Sequence, residues 1–167
     1  MHFKHLVAFG FVVLSLKSFG QFSKYSNEFL SIGVSARGLA MSGSQVASVH
    51  DATAGFWNPA GLVNIDDGVQ ISAMHSEYFA GIANYDYASF GAPLGYGDKY
   101  IGLSMIRFGV DDIPNTLFLV EPDGSINYDN ITSFSAVDFA AIFTYSQKMG
   151  NNGFSIGSNL KIVRRKV

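Results

Sequence analysis

The chain has 167 residues, a formal net charge of −2 and no cysteine. The near-neutral balance gives no basic footprint for nucleic acid. The missing cysteines exclude a disulfide framework, a thiolate metal site and a lipidated cysteine near a mature start. Charged residues make up 14%, well below the roughly 25% of an ordinary soluble domain, and aromatics also reach 14%. Beyond the first twenty residues no stretch approaches the ~20 continuous apolar residues of a membrane helix. Few charges, many aromatics and abundant glycine fit a transmembrane β-barrel. They fit a soluble β-sandwich with a large core equally well.

Met1 to Gly20 reads MHFKHLVAFGFVVLSLKSFG. His2, Lys4 and His5 precede an apolar run from Leu6 to Leu16, and Ser18 and Gly20 place small residues before Gln21. This is the pattern of a secretory signal, too short to span a bilayer. Residues 1–20 are therefore set apart from the fold, and the mature chain is expected outside the cytoplasm.

Residues 21–66 read as a plug-like segment. Gln21 to Ser31 is polar and aromatic, and from Ser35 the small residues Ala36, Gly38, Ala40, Gly43 and Ala47 crowd together. Small residues let backbones approach closely. Asp51 is placed to cap a short turn running to Gly55. Asn58-Pro59 breaks any helix, because proline lacks an N–H and drives its predecessor from the α region. Ala60-Gly61 then completes a turn. Gly38, Asn58, Pro59 and Gly61 are expected to set turns, and Trp57 to pack or anchor.

Three spaced elements carry a resemblance. They are Gly33-Val34-Ser35-Ala36-Arg37-Gly38-Leu39-Ala40-Met41, then Asp51-Ala52-Thr53-Ala54 after His50, then Trp57-Asn58-Pro59-Ala60-Gly61-Leu62. Together they resemble the N-terminal signature of the PorV/PorQ family, outer-membrane proteins related to the FadL-type barrels. His50 departs from that pattern, where an acidic or small residue is expected. The resemblance implies an all-β, transmembrane antiparallel barrel with an N-terminal hatch. It also implies a non-enzymatic part in type IX protein secretion, with outer-membrane lipid, other secretion components and cargo as partners, and no cofactor. A FadL-like channel for hydrophobic compounds is the first alternative. A secreted soluble β-sandwich that binds a partner is the second.

Residues 67–167 read as strands and turns. Val69–Phe79, Asn84–Phe90, Tyr100–Val110, Ile131–Ser146 and Phe154–Val163 are β-prone, with turns at Ala80-Gly81, Gly95–Asp98 and Met149–Gly153. Asp111 to Asn130, with Pro114, Pro122 and Asp123-Gly124, reads as a long loop. In the fourth strand Val137, Phe139, Ala141, Phe143 and Tyr145 share one face, and Ala136, Asp138, Ala140 and Thr144 the other. A barrel and a sandwich both give this period-2 alternation, with opposite faces buried. About five strands are visible, where the family fold has fourteen. An open edge in lipid leaves N–H and C=O groups unpaired, so the 167 residues are expected to be an N-terminal portion that does not close a barrel alone. Under the barrel reading the Gly95 and Gly150 turns fall on the periplasmic side. The Asp111–Asn130 loop falls outside.

No residues form a convincing catalytic set, and none is expected to act as an enzyme site, cofactor site or metal site. His50 and Asp51 are adjacent, and His75 has no second histidine at ligand spacing. Asp111, Asp112, Glu121 and Asp123 form an acidic loop with at most weak calcium affinity. Asn130-Ile131-Thr132 matches a glycosylation sequon that is idle in a bacterium. Arg37 is expected to pair with an inward carboxylate such as Asp138, because a lumen charge usually has a partner. Arg164-Arg165-Lys166 either meets anionic head groups at the outer rim or forms a plain exposed loop.

Overall fold

The computed structural model describes residues 27–65, 68–95, 98–150 and 153–167. The signal read over 1–20 lies outside them, as do the first residues of the plug segment. No helix among the described residues is long and apolar enough to cross a membrane.

The chain forms one antiparallel sheet in the order β1-β2-β3-β4-β5, with a layer of short helices against one face. The strands are β1 (Gln70–Tyr78), β2 (Ala83–Pro93), β3 (Lys99–Asn115), β4 (Thr132–Met149) and β5 (Phe154–Lys166). Each pairs with its sequence neighbours alone, so the sheet is a simple meander with β1 and β5 at its edges. β-Branched and aromatic residues supply the strand preference, and period-2 patterning sets which side chains share a face.

Four strands run further than the sequence indicates, β4 among them, which reaches Met149. β2 reaches Pro93, and β3 continues through the Asp111–Asp112 irregularity to Asn115. Residues 111–115 are therefore strand, where the sequence reads as loop. Pro114 is tolerated because β2 pairs no further than Val110. Beyond that point β3 has a neighbour on one side only, where a missing N–H is harmless. β5 likewise carries Arg164, Arg165 and Lys166 as strand residues paired with β4. The remaining connection folds on itself: Val120 bridges Ile126, and Gly124, at φ 84°, donates its N–H to the Glu121 carbonyl.

The helical layer is built from single turns. A 3-10 turn spans Glu28–Ser31, helices span Ala36–Ala40 and Ala54–Trp57, and a second 3-10 turn spans Pro59–Asn64. The core lies between this layer and the sheet. One cluster joins Phe29 and Val34 to Tyr85, Tyr87, Ile106, Ala140 and Ile142. Another joins Val49, Ala54, Leu62, Val63 and Ile65 to Tyr100.

Candidate functional site

The plug is assembled around Trp57, the one tryptophan of the chain. Its Nε1–H donates to the Val34 carbonyl at 3.2 Å, joining residues far apart in sequence. The ring lies over Gly33, Gly38 and Gly43, where added Cβ atoms would stand 3.1, 2.8 and 3.6 Å from its atoms. Phe56 meets it edge-on at 5.0 Å. Ser35 Oγ accepts from the Gly38 N–H at 3.0 Å, capping the Ala36–Ala40 helix, and it lies 3.3 Å from Oε1 of the buried Gln45.

The Trp57–Leu62 element closes the layer. Asp51 Oδ1 accepts from the Thr53 N–H at 2.8 Å and from the Thr53 hydroxyl, holding the turn into the Ala54–Trp57 helix. Asn58 Oδ1 accepts from the Ala60 N–H, and Nδ2 donates to the Val46 carbonyl at 3.0 Å. Pro59 occupies the first turn, where an N–H has no partner in any case. Gly38 lies inside a helix and not in a turn; Gly61 lies in the 3-10 turn, where a Cβ would come within 2.9 Å of the Val49 carbonyl oxygen. Both supply room for close approach.

The layer rests on glycines of the sheet. A Cβ at Gly91 would stand 2.6 Å from Ile65, one at Gly102 3.1 Å from Leu62, and one at Gly157 2.4 Å from the backbone of Pro59 and Ala60. In return, a Cβ at Gly55 of the plug would meet Thr144 Oγ1 at 2.8 Å. Polar side chains finish the seat. Asn159 Nδ2 donates to the Gly55 carbonyl at 2.7 Å, and Asn159 Oδ1 accepts from Thr144 Oγ1 at 2.8 Å. Ser155 Oγ donates to the Ala60 carbonyl. Tyr87 and Ser104 share a buried hydrogen bond beside these groups.

Arg37 and Asp138 do not pair. Arg37 is exposed on the plug and makes no salt bridge among the described residues. Asp138 instead receives both Nε and Nη2 of Arg165, at 2.7 and 2.9 Å. The physical reason is register. β4 and β5 pair so that Asp138 faces Arg165 directly, and a bidentate guanidinium satisfies both carboxylate oxygens.

The sheet face turned away from the plug holds what the sequence did not single out. The register aligns Ile71, Phe90, Leu103, Phe143 and Leu160 in one row across all five strands. Ile71 is 78% exposed, Leu160 63% and Phe143 47%. The next row is Ala73, Ala88, Met105, Ala141 and Ile162, and the one after is His75, Asp86, Arg107, Phe139 and Arg164. His75 Nδ1 lies 2.7 Å from Asp86 Oδ1, Arg107 Nη1 donates to Asp86 Oδ2 at 3.2 Å, and Arg107 Nη2 stands 3.6 Å from Asp111. This ion chain spans β1 to β3. The sign of it in sequence was the shared outward parity of His75, Asp86 and Arg107, which needs the register to become a contact.

No three His, Cys, Asp or Glu side chains converge on a metal position among the described residues. In the acidic loop, Glu121 Oε1 accepts from Asn127 and Asn130, and Asp123 Oδ1 accepts from Ser125. These carboxylates are occupied by the loop's own donors.

No protein-family model matches the chain, and no curated protein or solved structure is significantly similar to it.

Proposed function

We propose that residues 21–66 are the hatch, and β1–β5 the first strands, of an outer-membrane β-barrel of the PorV/PorQ type. Its role is a non-enzymatic one in type IX protein secretion. One observation carries the membrane part of this reading. The face the plug leaves bare carries a row of large apolar side chains across every strand. An antiparallel sheet with one solvated face alternates apolar with polar. A lipid-facing barrel wall is apolar outward, and its inner face carries small and polar groups. Here the plug side includes Ser72, Ser89, Ser104, Thr144, Ser146 and Asn159, which suits a wall around a hatch.

The outward residues of β5 from Phe154 to Ile162 run roughly 26 Å along the strand at about 3.3 Å per residue, which at the roughly 35–45° tilt of a barrel strand covers about 19–22 Å of an apolar band about 25 Å tall. The apolar rows give way to charge at the end that carries the 79–82 and 116–131 connections. The secretion role rests on the resemblance of the GVSARGLAM, DATA and WNPAGL elements.

The test has two stages. Fractionation of the native host should place the protein in the outer membrane, and recovery in the soluble periplasm would end the barrel reading. Deletion should then block export of a reporter fused to a type IX sorting domain. Normal export, with impaired uptake of hydrophobic compounds, would replace the secretion role by that of a FadL-like channel.

A further inference from the structure

The β1–β2 and β3–β4 hairpins end at different heights. β2 begins at Ala83, opposite Val110, while β3 and β4 run on as a pair to Asn115 and Thr132. The sheet therefore has a step at this end. The 79–82 turn is its low side and the 116–131 connection its high side. Both sides belong to hairpins of β1–β4, so the shape of the step does not depend on what lies beside β5.

The high side is an ordered lobe. Val120 bridges Ile126, the Asn127 N–H donates to the Leu119 carbonyl at 2.9 Å, and Asn130 Nδ2 donates to the Phe118 carbonyl at 2.9 Å. Large apolar side chains project from this frame. Leu117 is 83% exposed, Phe118 72% and Tyr128 71%, and Val120 and Ile126 are exposed as well. On the low side Phe79 and Ile82 are exposed too. Phe79 has φ 56°, a left-handed conformation that a bulky side chain rarely adopts. Apolar side chains gathered on an ordered surface mark an interaction site. A lobe already fixed in shape also loses little entropy when it is covered.

The lobe is anionic. From Phe108 to Gln147 the sequence holds no Lys, Arg or His. Asp112, Glu121, Asp123 and Asp129 form no salt bridge among the described residues. Glu121 and Asp123 accept from neutral Asn and Ser donors, which leave their charge uncompensated. An apolar surface bordered by such carboxylates complements a partner whose apolar side chains are interleaved with Lys or Arg, and it repels an acidic one.

We propose that this step is a docking surface for a basic, apolar segment of another protein. Leu117, Phe118 and Tyr128 cover the partner's apolar side chains, and Asp112, Asp123 and Asp129 meet its Lys or Arg residues. The inference stands apart from the membrane reading. Under that reading the surface faces the medium outside the cell.

The test uses the full chain in non-ionic detergent and a fluorescein-labelled peptide of alternating leucine and lysine. Binding is read by fluorescence anisotropy, with empty micelles as the blank. One companion peptide has glutamate for every lysine, and a second has serine for every leucine. The leucine–lysine peptide should bind about tenfold more tightly than either companion, and added salt should weaken it. Leu117→Ser combined with Phe118→Ser should weaken binding about tenfold, the loss expected when two contact side chains are removed. Both side chains are exposed, so circular dichroism should be unchanged. Asp123→Asn combined with Asp129→Asn should weaken binding about fivefold and flatten its salt dependence. Leu94→Ser, an exposed apolar position at the other end of the sheet, should leave binding unchanged. Equal binding of either companion peptide would overturn the proposal. So would binding that is unchanged in the Leu117 and Phe118 double variant, or equally lost in Leu94→Ser. A dimer that excludes the peptide would also overturn it and assign the step to a second copy. Fractionation separates this failure from that of the membrane reading. A chain that binds the peptide selectively but is recovered in the soluble periplasm sinks the membrane reading alone. A chain found in the outer membrane that binds without selectivity sinks the docking surface alone.

Discussion

The Trp57 indole occupies the space that a side chain on Gly38 would need: a Cβ built there falls 2.8 Å from Cζ2 of the ring. The same Cβ would stand 2.7 Å from Oε1 of Gln45, which is buried. Trp57 is held by its bond to the Val34 carbonyl and by Gly33 and Gly43 beneath it.

Gly38→Ala should therefore destabilise the plug, although alanine is the better helix former. Overpacking a filled site costs about 1–3 kcal/mol. As the chain's one tryptophan, Trp57 reports the outcome directly. Its emission should shift to the red and its denaturation midpoint should fall. An unchanged spectrum and midpoint would mean that the Gly38–Trp57 contact is not tight.

Gly157→Ala should be the more damaging substitution. The atoms it would strike, 2.4 Å away, belong to the backbone of Pro59 and Ala60 and cannot rotate aside. A loss near 3 kcal/mol, the upper end of the overpacking range, is expected. Hydrogen exchange should show the amides of the Pro59–Asn64 turn opening, while the β2–β3 ladder stays protected. Ser158→Ala, one residue away and on the other face, should leave both unchanged.

Asn159→Ala removes the donor to the Gly55 carbonyl and the acceptor for Thr144 Oγ1 together. Unfolding free energy should fall by about 1–3 kcal/mol, the cost of leaving buried polar groups without partners. A double-mutant cycle with Thr144→Val should show coupling, since the two side chains share one bond. Strict additivity would place Thr144 outside this seat.

The 116–131 connection should loosen in acid. Hydrogen bonds from Asn127, and next from Asn130, hold the Glu121 carboxyl below the ordinary glutamate range. A depressed carboxyl contributes stability that is fully present above the unfolded value, about 4.3, and is lost as pH falls through the lower folded value. The protection factor of the Asn127 amide should thus be independent of this group above about pH 5 and fall below the unfolded value. Glu121→Gln should abolish that acid-dependent step.

Much of the architecture was legible along the chain. Trp57-Asn58-Pro59 marks the end of the Ala54–Trp57 helix and the start of the next turn because proline and an Asn cap act locally. Val137, Phe139, Ala141, Phe143 and Tyr145 share a face because the strand period is two. Strand ends were less legible. Pro114 reads as a breaker, and only the absence of a neighbour beyond Val110 on β2 makes it acceptable in β3.

Alternation along a strand names two sets of side chains and is symmetric between them. What breaks that symmetry lies far off in sequence. Gly91, Gly102 and Gly157 receive Ile65, Leu62 and the Pro59–Ala60 backbone, and Asn159 receives Gly55, so that face turns to the plug. The aromatic row is thereby left outward. Ion pairing followed the same logic. Asp138 carried a need for a cation in its sequence, while cross-strand register chose Arg165 over Arg37, because a hydrogen-bonded ladder fixes side-chain neighbours that no local pattern encodes.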